Sequence, residues 1–414
     1  MMFNRREAGI NFSQTKYKLL DGFVFIPHVR SNGTTSIPHI ITDSFNFEIP
    51  AVALLRIYDG IYYKSRIKKL HSAGNSLVVS LKAERNFKDV KIQVLDIKSK
   101  KEVLDRENTD FVKYIPKFTL RQTPIYVFEC KSFYIMGGHY KKDISVRKDL
   151  LQYENLPSVL GLYLAEGGKI DATFTNSWPE AINVVLDFVE ANFNISRQSV
   201  CASICCNSSL KSKKNELEKF WTESTGVKNF FNNLHINKNV KSPQGILELY
   251  FGSQIIKEIF VNLAYKLDFE KDFKFINGFL SGDGSPILQN KACITHHILF
   301  DSKNKNYEKY NKIFKEYKIG LINKNRFVLY TNWDQNLELL MNGAYTYSPM
   351  KRFRFLKYFL SLPKTKLNKK SSKIKKLYKE FGNLRAYLTE FYESLIILKI
   401  YNKDDINKLM EKLK

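Results

Sequence analysis

The chain has 414 residues, of which 44% are hydrophobic and 26% charged, proportions that let a globular protein bury real cores. Basic residues exceed acidic ones by 25 charges and the pI is near 9.6; a protein this basic usually meets a polyanion, and nucleic acid is the commonest one. No run approaches the ~18–20 apolar residues of a membrane span, Met1–Glu7 lacks the apolar core of a signal peptide, and Gly (19) and Pro (11) are too sparse for a fibrous or disordered chain.

At ~100–200 residues per domain the length suggests two to four domains. Residues 1–105 read as a mostly β N-terminal domain, with β-branched and aromatic runs at Gly22–Ile26 and Val90–Ile97. Ser31-Asn32-Gly33 and Ala73-Gly74-Asn75 read as turns. Residues 106–154 form a connector. From 155 to 362 helices and strands alternate. Helical spacing predicts helices over 181–193, 214–225, 254–267, 307–317 and 350–362, and strands over 172–177, 200–206, 245–251, 292–300 and 326–331. Residues 363–376 carry seven lysines and no acid, a solvated linker or a phosphate-contacting arm. Residues 377–414 read as a helical tail with a packing stripe through Leu384, Leu388, Phe391, Leu395 and Leu398.

Five cysteines, an odd number, make no disulfide framework and fit a reducing compartment. Cys201, Cys205 and Cys206 invite a zinc reading, but no second ligand pair accompanies them, and the run from Ser199 reads better as a small-residue strand. His296 and His297 are adjacent strand positions that face opposite ways, so they cannot readily share one ion.

Two passages repeat. Val159-Leu160-Gly161-Leu162-Tyr163-Leu164-Ala165-Glu166-Gly167-Gly168 aligns without a gap on Ile276-Asn277-Gly278-Phe279-Leu280-Ser281-Gly282-Asp283-Gly284-Ser285, 117 residues later (166 to 283). Gly161 and Ala165, like Gly278 and Gly282, are four apart, which flattens one helix face and lets two backbones approach. Each helix ends at an acid followed by Gly, a residue that stops helices by accepting the left-handed conformation. A carboxylate at a helix C-terminus opposes the dipole, and two held together repel. A shared divalent cation would resolve both conflicts.

This pattern resembles the LAGLIDADG homing endonuclease family in its double-motif, single-chain form. The resemblance covers residues 155–362, with a first half at 155–270 and a second at 271–362. It implies an α+β fold of two pseudo-symmetric αββαββα halves whose motif helices form the interface and whose sheets form a DNA-binding saddle. It implies hydrolysis of both strands of a long double-stranded DNA site by a monomer, using Mg²⁺ (or Mn²⁺). By motif position the metal ligands are Glu166 and Asp283. The metal would polarise the scissile phosphates, activate water and steady the leaving 3′-oxygen. The sequence departs from the family pattern at Leu164 and Ser281, where Asp is common, and in using Glu for the first acid. The family also places a basic residue, often Lys, near each acid: Lys238 or Lys241 in the first half and Lys324 in the second.

The strands after each motif should carry the base-contacting side chains. Lys169, Asp171, Thr173 and Thr175 share a face in the first half, opposite Ile170, Ala172 and Phe174. In the second half Ser285 follows the acid, and Ile287, Gln289 and Lys291 share a face; Gln suits adenine and Lys guanine. Counted from the acids, the two halves disagree in phase by one residue. Residues 63–94 also resemble the AbrB-like swapped-hairpin DNA-binding module, in which a basic strand leads through Gly74-Asn75-Ser76 into an apolar strand. Lys82 stands where that module usually has Pro. Gly60-Ile61-Tyr62-Tyr63 is similar to the GIY-YIG nuclease opening, without its second half. Met1 and Lys414 stand where an intein carries a nucleophile and a terminal His-Asn, so a freestanding, intron-encoded protein is expected, intracellular and DNA-associated in the cytoplasm or an organelle. The alternative is a non-cleaving relative, either a maturase acting on intron RNA or a DNA-binding regulator.

Overall fold

The computed structural model describes residues 18–19, 23–25, 34–37, 39–48, 51–59, 62–69, 71–73, 76–80, 91–99, 110–122, 125–129, 133–138, 144–168, 170–269, 272–290, 292–299, 312–323, 326–362, 371–402, 404 and 411. The fold is mixed α+β. The chain divides into two compact units: residues 1–151 with 192–194 and 253–258, and residues 152–191, 195–252 and 259–414. Among the described residues no helix is long and apolar enough to cross a membrane.

The first unit is mainly antiparallel β. Strands β1 (Lys18–Leu19), β2 (Phe23–Phe25), β3 (Thr34–Ile37), β4 (Ala51–Asp59), β5 (Tyr62–Lys69), β6 (His71–Ala73), β7 (Ser76–Ser80) and β8 (Lys91–Ser99) form two sheets, ordered β1-β2-β8-β4-β5 and β3-β7-β6. A short helix α1 (His39–Thr42) follows β3. Ala51, Ala53 and Leu55 on β4 and Ile92, Gln93 and Val94 on β8 are buried. Strands β9 (Ile125–Glu129), β10 (Phe133–Gly138) and β11 (Ile144–Arg147) form a third sheet. The basic strand of the AbrB-like passage is β5 and its apolar strand is β7; they lie in different sheets, and β7 pairs with β6. The turn at 31–33 lies outside the described residues, as do Gly74 and Asn75.

The second unit opens with α2 (Leu156–Glu166), β12 (Thr173–Asn176), α3 (Pro179–Phe193), β13 (Cys201–Cys206) and α4 (Lys214–Thr225). Next come β14 (Asn229–Phe230), β15 (His235–Ile236), β16 (Ile246–Tyr250) and α5 (Gln254–Lys266). A parallel series follows: α6 (Phe273–Asp283), β17 (Gly284–Gln289), β18 (Cys293–Leu299), β19 (Lys318–Asn323), β20 (Arg326–Tyr330), α7 (Trp333–Met341), α8 (Pro349–Ser361) and α9 (Ser372–Ile397). Of the helix expected over 307–317, residues 307–311 lie outside the described residues, 312–313 are helical and 314–317 form a turn and bend.

The expected αββαββα order needs correction in the first half. A helix, α3, separates its first two long strands, and the sheet runs β12-β16-β13-β14 with β15 also on β13. The reason is local. The Asn176 side chain accepts a hydrogen bond from the Trp178 N–H at 2.9 Å, which ends β12. Pro179 then opens α3, its fixed φ suiting the first helical turn. The apolar residues of α3 at 182, 185, 186 and 189 are all buried, so the segment gains more as an amphipathic helix than as a strand. In the second half β17 and β18 pair directly, and the sheet runs β17-β18-β20-β19.

The tail also differs from expectation. Helix α9 starts at Ser372, inside the lysine-rich stretch read as linker, because Ile374 and Leu377 bury a face there, and it stops at Ile397. The expected stripe does pack, with Leu388, Phe391 and Leu395 buried. The helix is held at two points along its length. Arg352 of α8 pairs with Glu380 at 2.7 Å, Phe353 stacks on Phe381 at 4.9 Å, and Phe391 meets Trp178 and Phe220 at 5.1 and 5.8 Å.

Candidate active site

The repeat folds as two helices packed back to back. Seven of the first eight residues of α2 are buried, as expected of a helix that is apolar all round. A Cβ on Gly161 would meet the Phe275 carbonyl oxygen and lie 2.8 Å from the Phe279 nitrogen. A Cβ on Gly278 would meet the Ser158 carbonyl oxygen and lie 3.0 Å from the Leu162 nitrogen. Under the 117-residue shift Ser158 becomes Phe275, Gly161 becomes Gly278, and Leu162 becomes Phe279. Each contact therefore exchanges into the other, which is the signature of a two-fold axis between the helices. On that axis the Cβ position of Gly282 lies 2.5 Å from the Ala165 Cβ and 3.0 Å from Cγ of Glu166. Asp283 is the next residue, so both helix ends, each with its acid, arrive at one place.

The glycines after the acids act differently from expectation. Gly167 and Gly284 are extended, with φ −76° and −74°, not left-handed. Their N–H groups cap the Tyr163 and Leu280 carbonyls. A side chain would collide with those same carbonyls. The chain thus leaves each helix straight, with no room for a Cβ.

The positive charge at the acids comes from Lys351 on α8. Its ammonium donates to the Ser281 carbonyl at 3.0 Å and to the Gly282 carbonyl, capping the C-terminus of α6, where a cation suits the dipole. Burial pushes the Lys351 ammonium down from its ordinary range, and the charges of Glu166 and Asp283 pull against that shift. Burial likewise pushes the Glu166 carboxyl up, against the pull of Lys351. The loop before α8 docks on the same helix. The Thr346 N–H donates to Asn277 Oδ1 at 3.1 Å and the Tyr347 N–H to Ser281 Oγ at 3.3 Å.

Glu166 lines a cavity of about 770 Å³ together with Thr175, Lys241, Lys351, Arg354 and Lys357. Of the expected lysines, Lys241 reaches this cavity, while Lys324 lies outside the described residues. Lys351, Arg354 and Lys357 were missed. Their signal was a basic residue at every third position of a helix whose remaining residues, Arg352 apart, are mostly apolar.

The expected DNA-facing residues divide. Thr175 is half-buried and lines the cavity, Asp171 is exposed, and Lys169 and Lys291 lie outside the described residues. Thr173 is only 7% exposed, because the chain doubles back after Glu166. Gly167 bridges Phe174, and the Gly168 N–H donates to the Thr173 carbonyl at 2.8 Å. That fold-back leaves Ile170 60% exposed and accounts for the phase mismatch, since β17 starts directly after Asp283 with no such turn. In the second half Ser285, Ile287 and Gln289 are half-buried on one face, opposite His297, Thr295 and Cys293.

His296 is fully buried on the other face. Its Nδ1 contacts the Tyr345 hydroxyl at 2.7 Å and its Nε2 contacts Asn336 Oδ1 at 3.1 Å. The amide oxygen can only accept, so Nε2 carries the proton and Nδ1 accepts from Tyr345. Burial brings its pKa down to about 4. Cys201 and Cys205 share one face of β13 and Cys206 is buried on the other; Cys130 lies outside the described residues. Among the described residues no three His, Cys, Asp or Glu side chains gather into a metal cage.

Two carboxylates at converging helix ends suit a hard cation such as Mg²⁺, which commonly takes one or two protein carboxylates and completes its shell with water and phosphate oxygens. Compared with known protein families and with curated proteins, the chain matches none.

Proposed function

We propose that this chain is a DNA endonuclease built on the LAGLIDADG plan, with Glu166 and Asp283 as the acids that hold Mg²⁺ or Mn²⁺ at the base of a paired-helix interface. The observation that carries the reading is the exchange of backbone contacts between α2 and α6 under a 117-residue shift, with an acid at the end of each helix. A bound divalent cation would supply Lewis-acid polarisation of the scissile phosphate. Glu166 and Asp283 would hold the cation where the ends of α2 and α6 converge. Lys351 offsets part of the carboxylates' charge and fixes the end of α6. Arg354 and Lys357 offer positive charge to the phosphate backbone. In the hydrolysis, a water oxygen bonds to phosphorus, the P–O3′ bond breaks, and the 3′-oxygen leaves and takes up a proton. Each cut strand then carries a 5′-phosphate.

One observation favours the second reading, a non-cleaving nucleic-acid-binding relative acting on intron RNA or as a DNA-binding regulator. The Lys351 charge already acts on both acids, as it would where no metal is needed. Selection of cut ends from a randomised duplex library, with Mg²⁺ present, separates the two. The endonuclease reading expects one recurrent site broken on both strands. Recovery of bound but uncut duplex would support the relative.

A further inference from the structure

The cavity beside Glu166 gathers more positive charge than one carboxylate requires. Lys351, Arg354 and Lys357 recur at every third residue of α8, so they share a face, and all three line the cavity. Lys241 reaches it from the first half. Arg354 and Lys357 are half-buried, and among the described residues neither has a carboxylate partner. Arg147, Arg197 and Arg352, in contrast, each grip a carboxylate at 2.5–2.8 Å. A half-buried guanidinium without an anion gives up hydration and gains no charge-assisted bond in return, and phosphate is the anion its fork fits best.

The rest of the wall suits a nucleoside. Trp178 and Tyr358 line the cavity and are half-buried, and aromatic faces stack bases. Gln244 and Ser348 line it as well; each is about 1% exposed and carries an oxygen with no hydrogen-bond partner. A volume of about 770 Å³ is enough for a single nucleotide.

We propose that this cavity binds the 5′-phosphorylated nucleotide at a strand end, with the phosphate on Arg354 and Lys357 and the base against Trp178 or Tyr358. The proposal rests on the endonuclease reading, because cleavage with a 3′-oxygen leaving group generates such an end beside Glu166. It makes the enzyme hold one product end after the cut.

The test is fluorescence anisotropy on the full chain in EDTA, with five-nucleotide single strands carrying either a 5′-phosphate or a 5′-hydroxyl. The phosphorylated strand should bind at least tenfold more tightly. Replacing Arg354→Gln and Lys357→Gln together should erase that preference, Arg354→Lys should keep part of it, and melting temperatures should stay at the wild-type value. Equal affinity for the two ends overturns the proposal, as does a preference that survives the double substitution. A free nucleoside 5′-monophosphate that competes as tightly as the strand end overturns the strand-end assignment. The binding assay does not need cleavage. Duplex cleavage without phosphate preference removes the cavity proposal alone, and phosphate preference without duplex cleavage removes the endonuclease reading alone.

Discussion

In the first half of the larger unit the chain leaves Glu166, folds Gly167 back against Phe174, and reaches its second long strand only after the fifteen-residue helix α3. In the second half it leaves Asp283 straight into β17 and pairs that strand at once with β18. The sheets differ in strand order, yet the motif helices match contact for contact. The difference shows which part of a duplicated fold is constrained. Where backbone meets backbone, a single methyl group is too large, so both copies keep glycine and the same geometry. Where side chains fill a sheet-to-helix core, many arrangements bury similar area, and the copies are free to diverge.

Substitutions at the axis test the matched part most severely. Gly278→Val and Gly161→Val should each cost ~3 kcal/mol or more, by overpacking against a carbonyl that cannot move without its helix. Chemical denaturation would measure both, and similar losses are expected because the contacts are mirror partners. Tolerance of either one would mean the two helices are not in backbone contact.

A titration tests the part that has no mate. His296 is buried and neutral, with a folded pKa near 4 against an ordinary 6.5. Its contribution to stability is therefore complete above pH 6.5 and is lost as the pH falls towards 4, amounting to roughly 3 kcal/mol at the acid end. Wild type should lose stability more steeply than His296→Gln between pH 6.5 and 4. Parallel pH profiles would contradict the buried, neutral assignment.

The strap formed by α9 sharpens the comparison further, since it follows the second half yet packs on Trp178 and Phe220 of the first. The Arg352 guanidinium donates to the Ala344 and Leu340 carbonyls as well as to Glu380. Glu380→Gln should cost ~2 kcal/mol, by leaving a 5% exposed guanidinium short of its counter-charge. The smallest effect is expected at Gly382, which sits in α9 with nothing within 4 Å of its Cβ position. Gly382→Ala should raise stability by ~0.5–1 kcal/mol through helix propensity alone, the opposite sign from the axis glycines.

How much of this was legible in the sequence depends on how local the signal was. The helices over 181–193, 214–225 and 350–362 follow from apolar periodicity, and they fold within one or two residues of those bounds. The paired acids were legible because small residues four apart followed by an acid and Gly are a local pattern that occurs twice. Helix α7 was missed because it is only nine residues long and its apolar residues, Leu337, Leu339, Leu340 and Met341, crowd its second half after Trp333. Its start is nevertheless written in the capping box of Asn332 and Gln335. The polar face of β12 was legible from alternation, since Thr173 and Thr175 pair with Tyr250 and Glu248 while Phe174 pairs with the buried Leu249, but the offset from Glu166 was not, because the intervening turn depends on Gly167 and Gly168 reaching strand residues across it. Lys351 could not be found from proximity in sequence, since it is 68 residues beyond Asp283 (283 to 351) and meets the acids only after β17–β20 and α7 have folded.

Cleavage of the selected duplex by wild type, Glu166→Gln, Asp283→Asn and the double variant, each checked for an unchanged melting profile, tests the central claim most directly. With Mg²⁺ present, the wild type should break both strands. Each single substitution should slow the reaction by ~100-fold or more, and the double variant should leave the duplex intact. Double-strand breaks by the double variant at the wild-type rate would show that the paired acids are not the cutting site.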